Sequence, residues 1–455
     1  MIAREIEARF GAWVDERALL AGDARVVVAV SGGGDSGALL ALLCETGIVA
    51  RERLVAAWFD HRLRGEDASR TERDAVESLC ERYGVALEMG TWDAPMAGEA
   101  AAREARYAFL AQVARKHGAD RVVTGHTSDD QVETVLMHTL RGAGLYGLAG
   151  MAAASTWPFA SHGGPSLVRP LLGLSRADTH AYCDARGIAY VDDASNEDAR
   201  YLRNRVRRNL LPALDATSPQ GRRGILRLAD EARAGIDAIA QVVAPLVIAG
   251  DGGFVRLSRA ALRALPSDLA AHAYRAALVR LRGDAREFDR RHYDVLARAH
   301  AASTGSAFML PRGVVATVDP DAVVLSIGPL TLPSIDAGIA HALPFAGTLG
   351  AWRLDVVASD GADALRLPAA SVVRGRRPGD RIQPRGMRGH KSLQDYYVDR
   401  KVPRREREGA PVIACGRDVL WTPFGATEPH ADAGATYRIA YMRAQRFAGA
   451  AEQQV

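Results

Sequence analysis

At 455 residues the chain exceeds what one hydrophobic core holds, and 48% hydrophobic with 25% charged residues is a soluble globular balance, which excludes a disordered, fibrous or membrane-embedded chain. A net charge of +4 is too mild to identify a partner by itself, so the distribution of charge along the chain matters more than the total. The four cysteines, Cys44, Cys80, Cys183 and Cys415, lie far apart with no C-x-x-C pair, which argues against a disulfide framework or a zinc or iron–sulfur site and for a reducing compartment.

The first twenty residues mix charges of both signs without the apolar core of a signal peptide, and no later run is long enough to span a bilayer. The expectation is a cytoplasmic protein that touches no membrane. From there to Leu214, the strand-like runs "RVVVAV", "LVAAWFDH" and "RVVTGH" alternate with the helical patterns "ASRTERDAVESLCERYG" and "AREARYAFLAQVARKHG". Such alternation predicts an α/β domain over 1–214, a parallel sheet with helices on both faces and ligands beyond the carboxyl ends of the strands. Three strand-end loops carry unusual residues: "SGGGDS", "DHRLRGEDA" and "GHTSDDQVE". Ala/Arg/Leu-rich helices predict a mainly helical middle domain over 215–330, closed by two short strands turning at Asp319-Pro320-Asp321. After a linker, "WRLDVVAS" opens a small basic α/β or β-rich domain over 345–445.

The stretch "VVVAVSGGGDSGALL" ends a strand in glycines and enters a helix at once. Glycine lets backbone approach an anion closely, and the helix aims its N–H groups and positive dipole end at it, so the turn reads as a phosphate cradle. A Walker loop would need Gly-Lys-Ser/Thr, and the first lysine is Lys116. Asp35 would repel a cradled polyphosphate unless Mg²⁺ bridged the two. Further on, Thr127 or Ser128 caps a helix whose first turns carry Asp129, Asp130 and Glu133; a capping box of Thr127 with Asp130 is one reading, and a shared acidic face at i, i+3 and i, i+4 is the other. Arg103 and Arg106 share a helix face. Arg203, Arg205, Arg207 and Arg208 crowd one helix turn and a half, a pattern that favours nucleic-acid phosphate. Between Arg374 and Arg407 there are twelve Lys/Arg and four Asp/Glu, a net of +8, so the rest of the chain nets −4.

"SGGGDS" after a strand resembles the signature of the N-type ATP pyrophosphatases, or PP-loop enzymes, which cleave ATP between the α- and β-phosphates and adenylate a substrate oxygen. "GHTSDDQVETVLMHTLRGAGLYGLAGM", "RPLL", "DDASNEDARYLRNRVRRNLLPAL" and "RPGDRIQPRGMRGHKSLQDYYVDRKVPRREREGAPVI" resemble segments of the tRNA(Ile)-lysidine synthase family. The resemblance implies ATP and Mg²⁺ as cofactors. The implied partners are free L-lysine and tRNA(Ile) with a CAU anticodon, whose wobble cytidine is activated at C2 and joined to the lysine side-chain amine. It implies nucleotide contact by Ser31, Gly32, Gly33, Gly34, Asp35, Ser36, Gly125 and His126, and metal binding by Asp35 with Asp129. It further implies catalytic roles for Asp35, Asp130, Glu133 and Arg106, with Asp130 and Glu133 facing the lysine. For tRNA it implies Arg203, Arg205, Arg207, Arg208, Arg385, Lys391 and Lys401, and it leaves room for a homodimer. A tRNA 2-thiolation enzyme would need a cysteine pair whose spacing is absent, and a non-catalytic RNA binder would have lost Asp35 or the acidic cluster. Two departures, "TPFG" after "VLW" and His390 in "GHKSLQDYY", bear on tRNA contact and not on the reaction.

Overall fold

The computed structural model describes residues 1–62, 66–92, 98–159, 163–191, 202–250, 253–330, 333–361, 364–427 and 435–443. Parts of two sequence motifs, residues 63–65 and 192–201, lie outside the described residues. The chain divides into two compact units, 1–237 and 238–455.

In the first unit α1 (Ile2–Glu16), β1 (Val26–Val30), α2 (Gly34–Thr46), β2 (Leu54–Asp60), α3 (Glu66–Tyr83), β3 (Ala86–Thr91), α4 (Glu99–His117) and β4 (Arg121–Val123) follow the alternation read from the sequence. Then come α5 (Ser128–Leu140), α6 (Leu145–Leu148), β5 (Ala154–Ser155), β6 (Ser166–Val168) and α7 (Arg176–Arg186). The sheet order is β3-β2-β1-β4-β6-β5, parallel throughout except for β5, which runs antiparallel to β6 at the edge. The pleat sends alternate side chains to opposite faces. Val26, Val28 and Val30 pack with Ala56 and Trp58 against Phe10, Leu39, Leu43 and Tyr182, whereas Val27 and Ala57 pack with Val122 and Leu167 against Tyr107, Leu110 and Ala114 of α4. Helices therefore cover both faces, and the glycine-rich turn and the acidic helix α5 follow the carboxyl ends of β1 and β4. The unit continues through α8 (Leu202–Arg205), a π-helical turn at Val206–Leu210, and α9 (Leu211–Thr217), then α10 (Gly221–Val243), which runs on past the division.

The second unit begins with β7 (Val247–Gly250) and β8 (Phe254–Ser258), followed by α11 (Arg259–Ala264), α12 (Ser267–Arg282) and α13 (Arg290–Ala299). β9 (Ala307–Met309), β10 (Val314–Val318) and β11 (Ala322–Ile327) complete an antiparallel sheet, β7-β8-β11-β10-β9. The hairpin around Asp319-Pro320-Asp321 is present, but the middle region is less helical than its composition suggests. Its short strands escape an Ala/Arg/Leu reading because neighbouring strands, not propensity, stabilise them.

Next come β12 (Ala340–Ala342), β13 (Phe345–Leu349), β14 (Trp352–Ala358), β15 (Leu365–Leu367), β16 (Val372–Gly375), β17 (Arg381–Ile382) and β18 (Lys391–Ser392). The short helices α14 (Leu393–Asp399) and α15 (Arg404–Arg407) follow, with β19 (Pro411–Cys415), β20 (Asp418–Thr422), β21 (Gly425–Ala426) and β22 (Ala435–Arg443) after them. They build a four-stranded sheet, β13-β14-β22-β15, and a second, β12-β16-β19-β20-β17-β18 with β21 on β20. The segment expected to be a linker thus supplies β12, which pairs with β16.

β11 is buried on both faces: Val323 and Leu325 face Tyr274, Leu278 and Leu296, while Ala322 and Val324 join Phe254, Trp352, Leu354 and Val373. Arg405 of α15 also pairs with Asp319 at the β10–β11 turn. The middle and C-terminal regions therefore share one hydrophobic cluster. Cutting the chain before residue 340 is expected to uncover Phe254, Ala322 and Val324, so the truncated protein should bind a hydrophobic dye and aggregate while still binding ATP. A truncated protein that stays monomeric and dye-negative would show that this shared cluster is dispensable.

Candidate active site

Gly33 caps α2, and the first helical bond, Gly37 N–H to Gly33 O at 3.0 Å, leaves the N–H groups ahead of it pointing out of the helix end. The loop is held from inside: Ser36 Oγ accepts from Ser31 N–H at 3.0 Å and donates to Gly33 O at 3.0 Å. Gly32 has φ +82°, where an L side chain is strained. Gly125 has a different reason to be glycine. A Cβ there would sit 3.1 Å from the backbone of Asp35 and Ser36, so the end of β4 lies directly on the loop. The predicted contacts Ser31 to Ser36, Gly125 and His126 are thus brought to one place.

Thr127 is the N-cap of α5, and the capping box forms: Asp130 Oδ2 accepts from Thr127 N–H at 2.9 Å. The two readings of Asp130 turn out to be compatible, because its other oxygen faces the arginines. Arg176, at the first position of α7, is the centre of the arrangement. Its Nε donates to Asp35 Oδ2 at 3.2 Å, its Nη2 to Asp130 Oδ1 at 3.3 Å, its Nη1 lies 3.9 Å from Glu133, and its backbone N–H donates to Asp129 Oδ2 at 2.8 Å. Thr179, one turn on, hydrogen-bonds Asp35, and Arg222 of α10 pairs with Asp129. Glu133, 0% exposed, accepts from Arg207 Nε at 2.6 Å and Arg203 Nε at 3.0 Å.

Arg203 and Arg207, which the sequence reading assigns to RNA phosphate, pair with Glu133, because a four-residue spacing places them on the side where Val206 packs against Val132 of α5. Arg205 and Arg208 remain exposed. The cations offsetting Asp129, Asp130, Glu133 and Asp35 are therefore the guanidiniums of Arg176, Arg203, Arg207 and Arg222. Arg176, Thr179 and Arg222 escape the sequence reading. A signal did exist for Arg176: Ser175-x-x-Asp178 is a capping box, and a cation at the first helical position opposes the helix dipole, which calls for a carboxylate nearby.

The electrostatics follow from burial. Desolvation pushes Asp35 above the usual carboxylate range, and the hydrogen bond from Thr179 and the charge of Arg176 only partly counter it, with Asp130 adding repulsion. Burial also raises Asp130, but positive neighbours outweigh it and leave the group below its ordinary value. Burial lowers His126, which is bonded to Thr124 Oγ1 at 2.8 Å and has Arg169, Arg106 and Arg103 nearby, so the ring stays neutral near pH 7 and Arg176 and Arg203 keep Asp130 ionised. Arg106 is half-buried, its guanidinium 5.7 Å from the Tyr107 ring. Burial pushes the Cys44 thiol up to about 11 and those of Cys80 and Cys183 to about 12, which leaves no nucleophilic thiolate among the three.

A glycine cradle at a strand end, opening a helix and backed by acidic groups on a second strand-end helix, defines a PP-loop nucleotide site. Residues 2–214 match the PP-loop domain family and residues 372–433 match the TilS substrate C-terminal domain family. The chain is 33% identical to the tRNA(Ile)-lysidine synthase of Geobacter sulfurreducens, with 87% of this chain and 88% of that protein covered. It is 35% identical to that of Symbiobacterium thermophilum, with 88% and 89% covered. The chain belongs to the tRNA(Ile)-lysidine synthase family. Among solved structures, the U34-tRNA thiolase NcsA of Methanococcus maripaludis aligns with 50% of this chain and 78% of its own at 18% identity, with a TM-score of 0.42.

The carboxylates differ in what their charge does for the fold. Asp35 pays for burial without full compensation, so Asp35→Asn is expected to leave the unfolding free energy of the first unit unchanged or raised. Glu133→Gln leaves Arg203 and Arg207 facing a neutral amide and is expected to cost about 3 kcal/mol. Urea unfolding of the two variants checks the order, and an Asp35→Asn protein less stable than Glu133→Gln would contradict it.

Proposed function

We propose that the protein ligates lysine to C2 of the wobble cytidine of tRNA(Ile) bearing a CAU anticodon, at the expense of ATP. What supports the reading is the pairing in one chain of a PP-loop domain with a TilS substrate C-terminal domain, the similarity to tRNA(Ile)-lysidine synthases along most of its length, and the acidic partners that stand beside the PP-loop. In the first half-reaction the cytidine O2 attacks the α-phosphorus and pyrophosphate leaves; in the second the lysine ε-amine attacks C2, loses a proton, and AMP departs with the oxygen. The Gly32–Ser36 turn and the α2 N-terminus are proposed to receive the phosphates, and Arg176, bonded to Asp35, is the cation proposed to offset the departing pyrophosphate charge.

The residues present suit Mg²⁺. Asp35 and Asp129 offer hard oxygen donors, and the under-compensated charge of Asp35 is what a cation arriving with nucleotide would relieve. When bound there, the ion would neutralise phosphate charge as a Lewis acid. Asp130, bonded to Arg176 yet presenting an oxygen at the site, is the group proposed to face the lysine ammonium, while Glu133 orients Arg203 and Arg207. Arg106, beside neutral His126, is proposed to contact phosphate or the target nucleotide, and the exposed Arg205, Arg208, Arg385 and Lys401 the tRNA backbone. Lys391 is half-buried and paired with Asp399, so its contact with RNA requires that pair to open.

The test is incubation with labelled lysine, ATP and transcripts of tRNA(Ile) with a CAU anticodon or of tRNA(Met). Label is expected in the first alone, and label in neither or in both overturns the reading or its specificity. In the same assay Asp35→Asn is expected to lose tRNA-dependent pyrophosphate release by at least about 100-fold, the scale of removing an electrostatic contact to a transferring phosphate.

A further inference from the structure

The C-terminal region contains an ion pair withdrawn from water. The side chains of Arg374 and Asp380 are 1% and 2% exposed, and they meet through two parallel hydrogen bonds of 2.8 Å each. Arg374 also donates to Gly375 O and Gly416 O, both at 2.9 Å, and Asp380 Oδ2 accepts from Arg377 N–H at 2.7 Å. Such a pair is expensive to desolvate, and apolar side chains of the same volume would hold a core as well. What it fixes is the Arg377-Pro378-Gly379-Asp380 turn, closed by Asp380 N–H to Arg377 O at 3.2 Å with Gly379 at φ +84°.

That turn forms one wall of a pocket of about 380 Å³, with Arg376, Arg377, Arg381, His390, Lys391 and Gln394 around it. Its cations are not equivalent. Arg381 pairs with Asp418 and Lys391 with Asp399. Arg376 donates instead to the amide oxygen of Gln394 at 3.0 Å, and Arg377 to the carbonyl of Ala337 at 2.7 Å. Both are bonded to neutral acceptors. Arg407, itself buried, is driven below its ordinary value by desolvation and by repulsion from Arg376 and Arg404, so the local field is positive.

We propose that this pocket seats a phosphate group of the tRNA backbone between Arg376 and Arg377, and that the buried Arg374–Asp380 pair positions it. The proposal rests on the reading of the protein as a tRNA-modifying enzyme. Two guanidiniums at one concavity match the oxygens of a phosphodiester, and Arg keeps hydrogen bonds to spare after binding Gln394 or Ala337. Asp380 is a positioning residue, since its own charge is consumed by Arg374.

Filter binding of tRNA over a salt series, with the full-length protein, tests this. Arg376→Gln/Arg377→Gln is expected to weaken tRNA binding roughly tenfold and to flatten the slope of log K against log[salt] by roughly 1 to 2 units. The KM for tRNA rises in parallel while kcat at saturating tRNA holds. Arg374→Met/Asp380→Leu is expected to melt cooperatively near the wild-type temperature, as apolar replacement of a buried pair permits, yet to show a similar loss of tRNA affinity. Wild-type affinity and slope in the first variant overturn the pocket. Wild-type affinity in a folded second variant, or loss of its cooperative melt, overturns the positioning role. Loss of inorganic phosphate binding in the first variant with tRNA binding untouched would assign the pocket to free phosphate and overturn the RNA reading. Wild-type protein that binds no tRNA at all would instead overturn the proposed function.

Discussion

Four carboxylates gathered at the end of a parallel sheet are held together by four guanidiniums, and the geometry of the first unit follows from that balance. Asp35 on the nucleotide loop, Asp129 and Asp130 at the start of α5, and Glu133 a turn later would repel one another in a partly dry site. Arg176 joins Asp35 and Asp130 through its side chain and Asp129 through its backbone, so three elements distant in sequence are fixed by one residue. Arg203 and Arg207 pull the α8 region onto α5 through Glu133, and Arg222 ties the start of α10 to Asp129. A site organised this way holds its charged groups in fixed positions.

The second unit uses the same device for a different end. Buried pairs there, Arg374 with Asp380 and Arg405 with Asp319, consume charges that the sequence counts as part of a basic patch. Arg407 is likewise buried, donating to Val402 O. The net of +8 between Arg374 and Arg407 therefore overstates what the surface presents, and the residues left to meet an anion are fewer and better defined. Local placement, more than total charge, decides which cations the surface presents.

Elements with a strong period were legible. β1, β2 and β4 and the helices α3 and α4 fall where alternation and amphipathic spacing put them, and the glycine-rich turn falls at the helix end it was read from. Short strands such as β7, β12 and β17 were not, because a strand of two to four residues has no period to read and exists only through its neighbours. In the site, the acidic residues and the loop were legible from type and spacing. Their partners were not: Arg176 and Arg222 stand 141 and 93 residues from Asp35 and Asp129 respectively, and nothing local marks which carboxylate an arginine will meet.

The sequence by itself determined the class of chemistry: a strand, a glycine turn with Asp35, and an acidic helix start are local patterns, and local patterns are encoded by adjacent residues. Only the tertiary structure decided how charge is shared. Which carboxylate Arg203 meets, and whether Arg374 is surface or core, depends on which side of a helix or strand another element covers, and long-range packing sets that.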